Sequence, residues 1–273
     1  MANFLLILAL GIQVAVPKEM TCLGFIHTSL LPMNAYISGT EQEGAQVIST
    51  EGNLVYISGP GISALKAGDS FWVSHPEGIV RDRLTQEPLG YYYEELGSVR
   101  IETVASHVAT AQVVSSCKPI TKGDLILPAA NRAAVSFSGE LSNRFTPFPS
   151  EGLTSSIIVA KDDLHELAAG HFCFIGVGAR DGVKTGDRFT IYRESQPFNP
   201  RDFGIAGSGK GLSYEKILPG KYPSDLAQIL SSRNLPPQAI GDLVVVDVFE
   251  TTAAARIVNS HREIHLGDII IRR

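Results

Sequence analysis

The chain has 273 residues, 44% of them apolar and 19% charged, with 26 Gly, 15 Pro and a net charge of −5. That balance excludes a disordered chain and suits folded cores joined by many turns, enough for one large or two modest domains. No Lys/Arg block exceeds two residues, which argues against a nucleic-acid groove and against a basic membrane-binding face.

The chain opens "MANFLLILALGIQVAVPKEM", where Phe4–Val16 is an apolar run of 13 residues interrupted by Gly11 and Gln13. A spanning helix needs about 20 such residues, so the run has the length of the core of a secretory signal. Residues 1–20 are therefore read as a signal peptide or N-terminal apolar segment, with a buried first strand as the alternative. No later segment is long enough to span. Cys22, Cys117 and Cys173 lie far apart with no metal-ligand spacing, and with three thiols at least one cannot pair within the chain. Buried apolar thiols are the expectation.

From about Ala35, β-rich runs follow one another at short spacing: "NLVYIS", "SFWVS", "YYYEEL", "VRIETV", "TAQVVS" and "DLIL". Thr85–Gly90, "TQEPLG", reads as a hairpin loop. Pro128–Gly152 is polar and Pro-marked and reads as a linker (129–152) between residues 35–128 and 153–273. Within the second part, an insertion at about 196–237 contains "YPSDLAQILSSRNLPP". Ser224 there reads as an N-cap, Leu226, Ile229 and Leu230 share one face, and Pro236 stops the helix.

One phrase occurs twice, as "ALKAGDSFWV" and "GVKTGDRFTI". Gly52–Asp69 aligns with Gly170–Asp187 without a gap at an offset of 118. Gly97–Leu127 aligns with Gly241–Ile271 at an offset of 144, with ten of 31 positions identical. The offsets differ by 26 residues, so the second copy is longer by that net number between its halves, and the pattern reads as a tandem duplication with one elaborated copy. Gly-Asp pairs open and close each copy: Gly68-Asp69 and Gly123-Asp124, then Gly186-Asp187 and Gly267-Asp268. Each precedes a strand-like run. Gly accepts a left-handed turn position and Asp bonds nearby backbone N–H groups, so all eight are assigned to structural turns. The predicted fold is mainly β: two related small antiparallel β-barrels, the second with an inserted loop and short helix.

Chemistry-bearing motifs are few. "GIAGSGKG" (Gly204–Gly211) falls one residue short of a phosphate-binding loop, because Gly211 follows Lys210 where Ser or Thr would hold magnesium. His261 and His265 have helical metal-ligand spacing but sit on a predicted strand–turn with no third ligand nearby. No nucleophile elbow or Ser/His/Asp spacing is recognisable. No catalytic, metal or cofactor residue is assigned. Trp72, Tyr91 and Tyr93 are possible ligand-stacking contacts, although core packing explains Trp72 more simply, and Lys210 is a possible partner contact on an exposed loop.

Six stretches, "GNLVYISG", "LKAGDSFWV", "EPLGYYYEELGSVRI", "ITKGDLILP", "GARDGVKTGDRFTIYR" and "IHLGDIII", occur in an order that resembles a known family. It is the C-terminal region that accompanies LysM domains in some bacterial envelope proteins, related to the C-terminal domain of flagellar assembly protein T. The resemblance covers nearly the whole chain from Ala35 onward, and no LysM module is recognised in it. The resemblance implies a periplasmic or cell-envelope protein that binds an envelope protein or cell-wall component without catalysis. The alternative is an enzyme or glycan-binding protein whose site lies in an interdomain cleft under the 196–237 insertion.

Overall fold

Apolar residues alternating with polar ones at a period of two make strands, and the molecule is mainly β. The computed structural model of the chain describes residues 12–15, 19–41, 48–83, 85–129, 132–137, 139–194 and 236–273. The helix expected around Ser224, the Gly204–Gly211 loop and Lys210 lie outside the described residues.

The strands are β1 (Ile12–Ala15), β2 (Phe25–His27), β3 (Tyr36–Thr40), β4 (Leu54–Ser58), β5 (Ser70–Arg81), β6 (Pro88–Val104), β7 (Ala109–Ser116) and β8 (Leu125–Pro128). They continue with β9 (Val135–Phe137), β10 (Thr154–Ala160), β11 (Phe172–Ile175), β12 (Arg188–Arg193), β13 (Gln238–Val248), β14 (Ala253–Ser260) and β15 (Ile269–Arg272). The runs "YYYEEL" and "VRIETV" form one long strand, β6. The turn before it comes earlier than the predicted 85–90: Arg81 already pairs with Pro88. Asp82 makes that turn by accepting the Thr85 N–H at 2.7 Å.

The second half is a closed six-stranded antiparallel barrel in the order β10-β11-β14-β13-β12-β15. In the first half, β6-β5-β8-β3-β4-β7 are neighbours in turn and β7 pairs back to β6, with β2 added beside β6. Strand positions in the halves correspond. β3 and β10 begin at Tyr36 and Thr154, β4 and β11 at Leu54 and Phe172, and β5 and β12 at Ser70 and Arg188, each 118 apart. β7 and β14 begin at Ala109 and Ala253, and β8 and β15 at Leu125 and Ile269, each 144 apart. Side chains pointing into the two rings form separate cores, around Ile37, Val55, Val73, Val99 and Ala111 in one and Ile157, Ile175, Phe189, Leu243 and Ala255 in the other.

The outer face of the second barrel is also covered. Phe174, Val244, Val246 and Ala254 point outward and pack against Val14, Ala15, Met20, Leu23 and Ile26 of the N-terminal segment, with Val80 and Tyr92 of the β5–β6 hairpin. Tyr92 meets Phe174 edge-on at 5.3 Å between centroids. Burying one such side chain contributes roughly 1.5–3 kcal/mol, so this seam docks the two halves firmly. The apolar start of the chain takes part in it: β1 pairs antiparallel with β9, and Val14 and Ala15 are buried.

One reading of the sequence needs correction. Cys22 and Cys117 are not thiols but a disulfide spanning 95 residues of sequence. The separation hides a meeting made by tertiary structure, in which the N-terminal segment crosses the turn after β7. Cys173 is a buried free thiol. Within the predicted linker 129–152, the described residues include β9, the buried Arg132 side chain and the buried Ser142.

Gly97 and Gly241 stand at matching places in the β6–β7 and β13–β14 hairpins. A Cβ on Gly97 would lie 2.2 Å from the Ser115 carbonyl oxygen, and one on Gly241 would lie 2.3 Å from that of Asn259. Backbone cannot give way as a flexible side chain would. Gly97→Ala and Gly241→Ala are each expected to cost about 2–3 kcal/mol, read as a lowered urea midpoint with an unchanged slope. An unshifted midpoint would mean that these hairpins are not packed so closely.

Candidate functional site

The four Gly-Asp pairs sit in tight turns. Gly68, Gly123, Gly186 and Gly267 have φ of +93°, +98°, +91° and +93°. Asp124, Asp187 and Asp268 each accept the backbone N–H three residues earlier, from Thr121 at 2.6 Å, Lys184 at 3.0 Å and His265 at 2.7 Å. Asp124 also bonds His75 Nδ1 at 2.8 Å, and Asp268 takes two bonds from Arg193 at 2.8 and 2.6 Å. Asp69 is exposed. Asp124, Asp187 and Asp268 hold turn backbone in place, and Asp268 also holds the Arg193 guanidinium.

The aromatic candidates do not form one exposed face. Tyr93 is fully buried, stacks on Phe25 at 5.0 Å and accepts the Leu31 N–H at 2.7 Å. Tyr91 is half-buried, as is Trp72, which lies under the Arg132 guanidinium at 6.0 Å. Burial, then Glu94 and the carboxyls of Asp162 and Asp163, push the Tyr92 hydroxyl far above its ordinary value, so it stays neutral.

Between the halves, where a cleft would open, stands Arg132. Its side chain is 6% exposed and forks onto Glu95, 2% exposed, with two bonds of 2.8 Å. Nε donates to Asp247 at 3.0 Å, and the remaining N–H groups reach the Met20 and Gly24 carbonyls at 2.9 and 3.4 Å. Each of the five guanidinium donors thus has an acceptor, which is what permits a buried arginine. Two carboxylates do converge at the seam, but a cation sits between them and the N-terminal segment closes over it.

A second buried polar cluster lies at the second barrel. Fully buried Asp242 accepts Ser142 N–H at 2.6 Å, Ser142 Oγ at 2.7 Å and Thr190 Oγ1 at 3.0 Å. Asn259 Nδ2 donates to the Ser142 carbonyl at 3.0 Å, and His261 Nε2 reaches the same oxygen at 3.0 Å. Ser, His and Asp meet here without the order a nucleophile needs. The serine hydroxyl points at the carboxylate, and the imidazole at a carbonyl. His265 contributes its backbone to the Asp268 turn, so the two histidines turn to different partners. Among the described residues, no three His, Cys, Asp or Glu side chains gather where they could hold a metal.

That cluster instead fixes a loop. Beyond Ser142, Asn143 and Thr146 close a turn through Asn143 N–H to Thr146 Oγ1 at 3.0 Å and Phe145 N–H to Asn143 Oδ1 at 2.8 Å. Tyr192 donates to the Pro147 carbonyl at 2.8 Å and takes Phe148 edge-on at 5.0 Å. Phe145 stands out between these anchors, 83% exposed, with the Arg144 guanidinium 5.8 Å from its ring. Next to the loop base, residues 166–168 and 260–263 line an open groove of about 430 Å³. Sequence reading missed this site because its key partners are distant in sequence, Ser142 lying 100 residues from Asp242 and 119 from His261. The only local signal was the Phe145–Phe148 pair in a stretch read as linker.

Asp242→Ala strips Ser142 and Thr190 of their acceptor inside the protein. A loss of about 3 kcal/mol is expected, with trypsin cutting after Arg144 at least tenfold faster. Unchanged cleavage would show that the loop is held some other way. No family model matches the chain, and no curated protein matches it.

Proposed function

We propose that the protein is a non-catalytic bacterial cell-envelope module, built from a duplicated small β-barrel, that binds or assembles with another envelope component. The observation that carries this reading is the contrast between the filled seam and the fixed Arg144–Phe145 loop. A cleft enzyme needs accessible carboxylates there, whereas the seam's Glu95 and Asp247 are bound to Arg132. A binding module needs a preorganised exposed anchor, and Phe145 has the form of one. The matched strand spacings of the two halves support descent from one repeated unit. The Cys22–Cys117 disulfide supports an oxidising compartment, since cytosolic thiols are kept reduced. Because β1 is built from the apolar start, the reading includes retention of the mature chain from at least Ile12.

Co-sedimentation of the purified full-length protein with sacculi and with envelope membranes tests it. Wild type is expected to pellet with one of them, and Phe145→Ala to remain in the supernatant. Both proteins remaining soluble with every envelope fraction would contradict the reading. Turnover of glycan substrates that is abolished by Glu95→Gln would favour the enzyme instead.

A further inference from the structure

The Phe145 loop and the neighbouring groove are complementary. The loop offers an aromatic ring capped by a cation, and its backbone is pinned, so little entropy is lost when it docks. Ala168 is exposed in the groove above buried Leu167, and the carboxylates of Glu166 and Glu263 flank them. Glu263 already faces Arg193 and Arg262, at 3.1 and 3.3 Å, whereas Glu166 is an exposed carboxylate. Arg262, also on the groove, can lie over an aromatic ring that enters it.

Position decides what such a pair of features can do. His261 lines the groove and also holds the Ser142 carbonyl, so the groove begins where the loop is rooted. Phe145 is three residues from that root, is 83% exposed and is not among the residues lining the groove, so it does not fill its own groove. When a knob and its complementary groove lie side by side on one face, a two-fold axis between two copies seats both knobs at once.

We propose that this face is a self-association surface on which two copies of the chain exchange Phe145 into each other's groove. Arg144 of each copy then pairs with Glu166 of its partner. The interface centres on one aromatic and one arginine, the residue types that dominate binding hot spots. The exchanged Phe145 is the same side chain that the envelope reading uses as its anchor, so the two are separated by Glu166→Arg, which is expected to dissociate the dimer while leaving Phe145 in place to bind an envelope fraction.

Sedimentation of the full chain over a range of concentrations is the test. Wild type is expected to dimerise, and Phe145→Ala to weaken the dimer by at least about 30-fold. Phe145 is exposed, so its loss leaves the fold intact, which a matching unfolding curve verifies. Arg144→Glu and Glu166→Arg are each expected to dissociate the dimer, and the double variant to restore it. A Phe145→Cys/Ala168→Cys chain is expected to form a covalent dimer on oxidation. A wild type that stays monomeric at the highest concentration overturns the proposal. So does a dimer that Phe145→Ala and both charge reversals leave unchanged.

Discussion

Arg132→Ala is expected to lower stability by about 3–5 kcal/mol, because it leaves Glu95 charged, buried and unpaired. For a protein of this size the loss corresponds to roughly 10 °C in Tm. It should be felt in both halves together, since the same guanidinium holds Glu95 on β6, Asp247 on β13 and two carbonyls of the N-terminal segment. Thermal unfolding followed by near-ultraviolet circular dichroism is the measurement. A single transition moved down confirms the seam as one cooperative unit. Two separated transitions, one of them unmoved, would mean that the halves are docked loosely. A companion, Arg132→Met with Glu95→Gln, should recover much of the loss, because the penalty comes from the stranded charge.

Opening the Cys22–Cys117 disulfide is the second large perturbation. It closes a loop of about 95 residues, and in the chain-entropy account such a cross-link contributes about 4.7 kcal/mol by restricting the unfolded chain. Cys22→Ser/Cys117→Ser should therefore unfold well below the oxidised wild type and be indifferent to reductant, whereas reductant should lower the wild-type midpoint. Thiol counting tests the same assignment chemically. Burial pushes the Cys173 thiol up to about 12, so in the folded protein it is protonated and unreactive until pH approaches that value. At neutral pH, native protein should yield no reactive thiol, unfolded protein one, and unfolded, reduced protein three. Three thiols without reductant would remove the disulfide from the account.

Much of the strand pattern was legible because it is written locally. The period-two runs gave β4, the start of β5, β7 and β8 nearly residue for residue, and left-handed glycines before Asp marked the turns that feed strands β5, β8, β12 and β15. What escaped depends on distant residues. The Asp82 turn replaced the expected Thr85–Gly90 loop because a side-chain bond to Thr85 N–H, not composition, sets its place. Cys22 met Cys117, and Arg132 met Glu95 and Asp247, across separations that no local rule sees. Polarity in 129–152 does not reveal which of its residues are buried, because polar residues can be buried when each has a partner, as Arg132 and Ser142 do. Strand alternation alone would leave Tyr93 as a possible contact, but β2 and Phe25 cover it, so neighbouring tyrosines are buried on both faces of β6.

The candidate site was the least legible part. Asp242 appeared in the sequence only as part of a repeated strand, although it is the acceptor that shapes the Phe145 loop from a hundred residues away. Exposed aromatics are conspicuous only after the surrounding chain is known to be fixed, because the same residues on a loose linker would carry no information about binding.

The central claim, an extracytoplasmic two-barrel module that keeps its apolar start, is tested most directly by one measurement on the native host: fractionation followed by intact mass after alkylation under non-reducing, denaturing conditions. The account predicts a chain in the envelope or periplasmic fraction that still contains Ile12 and carries a single alkyl group, on Cys173. A cytosolic chain carrying three alkyl groups would contradict it.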